Sequence, residues 1–399
     1  MNAPTPTAGP RGCPFAGTST STATAPAPVR GRHAATPPAG PAVPDPVGLA
    51  RSVLGVLRRT GKHFLPAPLL VRLDCLRHRA GTAGPYFAAF LDCVLDKYDG
   101  RFRNRTYLAL PLLEAMLDDP ATGMTPDRLA AILMSDVVRF ELAAATRPHR
   151  PDDRPDDRTL GTRLRHARRF VELCSAGGTG GAEPVGAVAD WLDATVQPVH
   201  VLHDEYFFIR ALQCHELTFT VLVADVRVAT RAVRAGAPGA AAAHLRHASG
   251  VFARAAVLFR VVATMRAATF HEFREFTQGA SAIQSDQYKR FEAACGAPDR
   301  ARLSADAFAG VPVVRAEVLA GQDDLSRAVL ETRRPGAPGW DSLDAAIADL
   351  EARHQRWKAA HRGLAARMLG AAAGSGRTEG VPYLDRCLQN RLFGTLLAA

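Results

Sequence analysis

At 399 residues, 47% of them hydrophobic, the chain has enough apolar material for a sizeable core, in one large domain or two moderate ones. The formal charge of +10 comes mostly from arginines interleaved with Asp and Glu; without an aromatic-rich basic stripe, this describes a solvated basic surface and argues against a nucleic-acid groove. The seven cysteines (Cys13, Cys75, Cys93, Cys174, Cys214, Cys295, Cys387) are dispersed, with no CxxC, no zinc spacing and no CxxCH, so free thiols in a reducing cytoplasm are expected.

Residues 1–46 are rich in Pro, Ala, Thr and Gly and lack the apolar core of a secretory signal, which predicts a disordered tail. From Val47 onward the periodic segments read as helix and alternating strands are absent, so the expected fold class is all-α, in one domain over 47–399. Predicted helices cover Val47–Thr60, Gly84–Tyr98, Tyr107–Leu117, Thr125–Thr146, Thr159–Ser175, Val185–Val196, His203–Arg234, Ala240–Arg266, Thr269–Thr277, Ala282–Cys295, Ser304–Ala309, Val314–Ala320, Leu343–Leu369 and Tyr383–Leu397. Thr125, Ser304 and Ser342 stand where N-caps belong, and Pro126 suits a first turn. Breaks fall at Pro148–Arg158, which carries the repeat PDDRPDDR, and at Gly177–Gly181, Gly236–Gly239 and Arg333–Gly339. Apolar stretches such as Val251–Thr264 are interrupted by arginines, here Arg254 and Arg260, so no membrane span is expected. No solenoid repeat is visible.

Three blocks carry candidate chemistry. Near the C-terminus, Trp357 to Gly370 places His361 mid-helix, a few turns before the loop Gly374-Ser-Gly-Arg-Thr-Glu-Gly380. That pairing is how an all-helical protein holds a haem and closes over a small ligand, though a lone helical histidine is ordinarily packed or solvent-facing. In the block His203 to Leu217, Phe208, Leu212 and Glu216 share one helix face at spacings of four, putting an aromatic ring, an apolar side chain and a carboxylate on one surface. An amphipathic core helix reads the same way. In Phe270 to Phe276, Arg274 stands among aromatics, where a guanidinium turned from solvent needs an anionic partner: a substrate or haem carboxylate, or a protein carboxylate such as Glu216 or Glu275.

Together the blocks resemble the tryptophan 2,3-dioxygenase family and the wider group of histidine-ligated haem-dependent aromatic oxygenases. The family pattern runs HDExLFI with Gln and Glu-Leu, FRxxL with SGFQSxQxR, WRxRH, RxxG, GTGGxxG and YL. The chain offers His203-Asp-Glu, Phe208-Ile209, Gln213 and Glu216-Leu217; Phe273-Arg274, Ser281-Ala-Ile-Gln-Ser285, Gln287-Tyr288 and Arg290; then Trp357-Lys358, His361, Arg367, Gly370, Gly374-Ser-Gly376, Gly380 and Tyr383-Leu384, in the same order. The resemblance implies a helical bundle resembling tryptophan 2,3-dioxygenase with haem held between helices. It implies His361 as proximal iron ligand with Trp357 flanking the haem, and Gly374 and Gly376 in the closing loop. It further implies Arg274 on the substrate carboxylate, Ser375 on the amino-acid head group, and Phe208 against the substrate ring. Tyr107 resembles a tyrosine that reaches a neighbouring subunit's pocket, but it lies far upstream of the second block, with an inserted segment at about 117–195 between them.

The departures matter as much. The family's distal histidine position is Leu212, which removes a hydrogen-bond partner for an indole N–H or iron-bound oxygen, and the tyrosine one turn before the key arginine is Phe270. The imidazoles of His203, His215 and His271 fall at other helical phases, leaving the inserted segment, with His149 and His166, as a source of a pocket imidazole. One related peroxygenase carries a His-x-x-x-Cys haem link; the matching residue is Ala365, so non-covalent haem b is expected. The resemblance implies a cytoplasmic oxygenase, a homodimer or homotetramer, taking a small aromatic amino acid, tryptophan-like or tyrosine-like, with dioxygen or hydrogen peroxide, in specialised metabolism such as antibiotic biosynthesis. The catalytic surface would be Arg274, Phe208 and Leu212. Alternatives are a conventional tryptophan 2,3-dioxygenase giving N-formylkynurenine, a peroxide-dependent tyrosine or methyl-tyrosine hydroxylase, a non-catalytic haem protein, and a helical scaffold without haem.

Overall fold

The computed structural model describes residues 45–77, 83–145, 155–175, 183–277, 280, 284–334, 336–374 and 378–397; the predicted tail, His149, Ser375 and Gly376 lie outside them. Among the described residues there is no strand. The helices are α1 Pro46–Thr60, α2 Ala67–Arg77, α3 Pro85–Val94, α4 Asn104–Tyr107, α5 Leu110–Asp118, α6 Pro126–Ala145, α7 Asp157–Ser175, α8 Gly186–Trp191, α9 His203–Arg234, α10 Pro238–Val262, α11 Ala267–Arg274, α12 Asp286–Cys295, α13 Arg300–Ser304, α14 Asp306–Ala309, α15 Pro312–Leu319, α16 Leu325–Thr332, α17 Trp340–Leu369, α18 Val381–Leu388 and α19 Gly394–Leu397.

Most predicted helices stand within a few residues, and the differences have local causes. Ala109 adopts a left-handed backbone (φ 46°) and splits the predicted Tyr107–Leu117 helix into α4 and α5. Helix α10 starts two residues early because Pro238 occupies the first turn, where a missing N–H costs nothing. Thr125 does cap α6, its hydroxyl accepting from the Arg128 N–H (3.3 Å). Ser342 does not cap: α17 begins at Trp340 behind Gly339 (φ 91°). Ser304 ends α13 instead of opening a helix. Helices α2 and α16 were not anticipated; α2 buries only Leu73, so its sequence carries little periodic signal.

The core is organised by α9, α10 and α17. The three-residue connection between α9 and α10, with α10 packed along both α9 and α17, makes α9 and α10 antiparallel neighbours. The first half of α9 closes an apolar cluster with α1, α3, α5, α6 and α7; its second half closes another with α10, α12, α16 and α17. Helix α9 is long and apolar enough to cross a membrane, contrary to the reading that no segment is, yet 72% of its most apolar window is buried inside the protein, as in the central helix of a bundle.

The inserted segment packs on the back of this bundle and locks α9 through buried charge. Arg163 of α7, fully buried, donates to Glu141 of α6, to Asp204 of α9 (3.0 Å) and to Thr264, while His203 meets the other oxygen of Glu141 (2.9 Å). Arg210 of α9 meets Asp136 of α6 (2.7 Å) and the Leu192 carbonyl (3.1 Å). Each guanidinium is desolvated, and removing either carboxylate partner would cost about 3–5 kcal/mol. His203 and Asp204 of the sequence block are thus anchors. Among the described residues none from 117–195 lines the central cavity; those described support α9.

Candidate active site

A cavity opens where one face of α9 meets α10, α11, α12, α17 and the loop before α18. Helix α9 contributes Phe208, Leu212, His215, Glu216 and Phe219, which follow i, i+4, i+7, i+8 and i+11 and form one stripe. Phe208, Phe270 and Phe273 build an aromatic corner, with centroids 5.8 Å (Phe208 to Phe270), 5.4 Å (Phe208 to Phe273) and 5.6 Å (Phe270 to Phe273) apart in tilted or edge-on arrangements. Leu212 lies beside it, so this end is apolar as its residues predict.

His361 enters from α17. Its ring lies parallel to Phe259 at 5.6 Å and 5.9 Å from Trp357, and it makes no hydrogen bond among the described residues. Burial pushes its pKa down to about 4, so the imidazole is neutral at pH 7 and retains a lone pair, as an iron ligand requires. Ala365, one turn on, also lines the cavity and presents only a methyl group.

Arg274 closes α11. One Nη donates to the Ala373 carbonyl just ahead of Gly374, while its Nε is buried without a partner. Burial lowers its pKa. No described carboxylate pairs with it: Glu275 is exposed, and Glu216 accepts instead from the Ser285 hydroxyl (2.9 Å). The loop returns through Gly374, whose N–H donates to the Thr378 carbonyl (2.9 Å), and Gly380 (φ 77°), where a Cβ would stand 2.7 Å from the Ala372 carbonyl oxygen. Only glycine fits there. Thr378, next to the undescribed Ser375 to Arg377, lines the cavity.

Tyr107 is almost fully buried and lines this same chain's cavity, a correction to the expectation of a residue directed at a neighbour's pocket. Its hydroxyl donates to Glu205 (3.2 Å), whose carboxyl also accepts from the backbone of Val199 (2.7 Å) and His200 (2.9 Å). Burial raises Glu205 to about 8. Gln213 donates to the Leu108 and Thr195 carbonyls (both 2.8 Å), so it too holds the fold in place. Arg290 pairs with Glu317 (2.9 Å) outside the cavity.

The opposite end of the cavity is polar. Glu292 receives Lys289 and Arg302, each at 2.6 Å, and although burial opposes it, these two cations hold its pKa at about 2. Lys358 adds a third cation; it donates to the Cys387 carbonyl (2.8 Å) and the Asn390 carbonyl. Three cations against one ionised carboxylate leave a surplus of positive charge facing the cavity. Sequence reasoning did not find this end; the signal available was Tyr288 and Lys289, one and two residues past the Gln287 match, and Lys358 beside Trp357.

His215 was also placed wrongly. It was assigned to another helical phase, yet it lies seven residues after Phe208 and faces the cavity, 5.0 Å from Phe259 and 5.9 Å from Trp357. His166 of the inserted segment does not line it.

These residues fit a haem. A neutral, unpartnered imidazole from α17, flanking aromatic walls, an orphaned Trp357 indole N–H and a cationic end for carboxylates are what a flat apolar macrocycle with two acidic substituents needs. The family model described as tryptophan 2,3-dioxygenase matches residues 192–311, a stretch that includes α9 to α14 and Arg274. Relatives named tryptophan 2,3-dioxygenase include one from Burkholderia ambifaria (strain MC40-6), 27% identical over 241 residues, covering 51% of this chain and 78% of the relative. Another, from Erythrobacter litoralis, is 27% identical over 252 residues, covering 52% and 93%; one from Pseudomonas aeruginosa (strain UCBPP-PA14) is 26% identical over 235 residues, covering 50% and 82%.

The chain is similar to tryptophan 2,3-dioxygenases over about half of its length. Its cavity carries Leu212 and Phe270 at the aromatic end and His215 beside the His361 wall.

Proposed function

We propose that the chain is an oxygenase that inserts one or two oxygen atoms into an aromatic amino acid, tryptophan-like or tyrosine-like, in specialised metabolism, with non-covalent haem b held by His361. The observation that carries this reading is the convergence on one cavity of a neutral imidazole and a guanidinium, neither with a side-chain partner among the described residues, and an aromatic corner. A haem sensor has no use for the second and third.

The bound haem would supply the activation of dioxygen or peroxide. The chain's own residues orient the substrate. Arg274 takes the carboxylate through its planar fork; the Thr378 hydroxyl lines the cavity for the ammonium end, a role the family resemblance gives to Ser375. Phe208, Phe270 and Leu212 hold the ring in an apolar corner that excludes water. Leu212 and Phe270 offer neither proton donor nor acceptor there, so this wall favours direct contact between oxidant and an electron-rich ring over relayed proton transfer.

Conventional tryptophan 2,3-dioxygenase activity, yielding N-formylkynurenine, is the second reading, favoured by the names of the relatives and disfavoured by Leu212. A peroxide-dependent tyrosine or methyl-tyrosine hydroxylase fits the same pocket. Steady-state turnover with tryptophan and dioxygen, set against tyrosine and peroxide, separates them; inactivity with every pairing overturns these narrower forms. A Soret band in the purified holoprotein, abolished by His361→Ala, is expected; a band that survives the substitution overturns the ligand assignment. By the same resemblance we expect a cytoplasmic homodimer or homotetramer, checked by light scattering on the holoprotein.

A further inference from the structure

His215 is 5% exposed, lines the cavity, and has both ring nitrogens buried without a hydrogen-bond partner among the described residues. Leaving a polar side chain so placed is costly unless a ligand completes it. Its neighbours cannot: Phe259 (5.0 Å), Trp357 (5.9 Å) and Phe219 (6.1 Å) present ring faces and edges, and the Trp357 indole N–H is itself buried and unpartnered. Two of these rings, Phe259 and Trp357, also flank His361, so the two imidazoles share one wall of the cavity. The aromatic corner of Phe208, Phe270 and Phe273 is built around Leu212, one turn earlier on α9, and His215 makes no ring contact with it. The group that satisfies His215 therefore belongs to whatever occupies the His361 side, and Tyr288, over which the cationic end begins, lies 5.2 Å from Phe219 and 5.5 Å from Trp357.

We infer that His215 is a second, positioning imidazole of the haem site, donating a hydrogen bond from α9 to a haem carboxylate on the side of Tyr288 and Lys289. This rests on the haem reading above. In this arrangement the haem is gripped from two helices: α17 through iron and α9 through an acidic substituent. Leu212 then removes an imidazole from the substrate end of α9, while His215 places one at the cofactor end.

The test compares His215→Leu with His215→Gln, which have similar volume and differ in a side-chain N–H donor. Haem release from each holoprotein is followed by the decay of the Soret band in the presence of an excess haem acceptor. His215→Leu is expected to release haem roughly ten- to hundredfold faster, the worth of one hydrogen bond to a charged group, and His215→Gln within a few-fold of the parent. With haem dimethyl ester, whose carboxylates are uncharged, the gap between the two variants should shrink to about a fewfold at most. Thermal melts of the apoproteins read the structural alternative. With no partner to lose, His215→Leu should melt at or above the parent's temperature, and a large fall would make His215 a packing residue and overturn the inference. Equal release from both variants overturns it, as does a parent low-spin, bis-imidazole spectrum that His215→Leu converts to high spin, since His215 would then be an iron ligand. A parent with no Soret band at all sinks the haem reading, a different failure.

Discussion

Arg274→Gln separates a substrate clamp from a structural arginine. In the structure the guanidinium spends one donor on the Ala373 carbonyl, keeps its Nε buried and unpartnered, and meets no carboxylate among the described residues. Burial already opposes its charge, as the direction of its pKa shift shows. The protein without substrate thus loses little with the charge: one hydrogen bond to a backbone carbonyl, about 1 kcal/mol, partly returned by the relief of desolvation. A bound amino acid loses much more. Truncating one member of a buried, hydrogen-bonded charge pair costs about 2–5 kcal/mol, or roughly 30- to several thousandfold in Kd at about 1.4 kcal/mol per tenfold. The assay is a titration of the holoprotein with tryptophan and tyrosine, read as a Soret perturbation, beside a chemical melt of the same protein. Arg274→Lys, which keeps the charge and loses the planar fork, should fall between. Unchanged amino-acid affinity in Arg274→Gln refutes the clamp. A loss of several kcal/mol of stability refutes the claim that Arg274 lacks a partner within the protein.

Two further perturbations follow from the same cavity. Burial raises Glu216 to about 7 from an unfolded value near 4.5, so between those values the folded state holds a proton that the unfolded state has released. Stability from this group is then fully present below about pH 4.5 and lost as pH rises through about 7; Glu216→Gln should flatten that part of the stability-versus-pH curve by up to about 3 kcal/mol, and an unchanged curve from urea melts at pH 5 and pH 8 refutes the assignment. Leu212→His restores an imidazole at the aromatic end; it should cost about 1–3 kcal/mol in the apoprotein, because Phe208, Phe270 and Phe273 offer it no hydrogen bond. In the holoprotein it should raise turnover of tryptophan with dioxygen relative to tyrosine with peroxide, and an unchanged ratio would count against Leu212 as the residue that sets reaction choice.

What the sequence disclosed was what periodicity and residue chemistry encode locally. Helix α9 was legible to the residue because thirty-two positions run without a break signal, and His361 and Arg274 were legible because each stands in a block whose neighbours have fixed spacing. Ala109 was not, since a left-handed alanine between α4 and α5 has no sequence signature. The cationic end was not, because Arg302 and Lys358 come from helices other than that of Lys289 and Glu292, and only packing brings the three cations to one cavity. His215 was missed by counting only spacings of four: the run 208, 212, 215 and 219 alternates steps of four and three, as a helix of 3.6 residues per turn requires.

The division of labour along α9 explains why so polar a sequence block can sit at the centre of an apolar bundle. Asp204, Arg210 and Gln213 turn toward Arg163, Asp136, Thr195 and Leu108, so the inserted helices and the α4 turn take up their charges and donors. Glu205 caps the backbone of Val199 and His200 and fixes Tyr107. Every polar group on that back face is matched within the protein. The front face differs in one respect: after Glu216 is satisfied by Ser285, His215 is left with two unmatched nitrogens. A fold that satisfies five of six polar side chains on this helix by direct contact, and leaves the sixth open toward a cavity, has placed its unmet hydrogen-bonding capacity where a ligand must supply the partner.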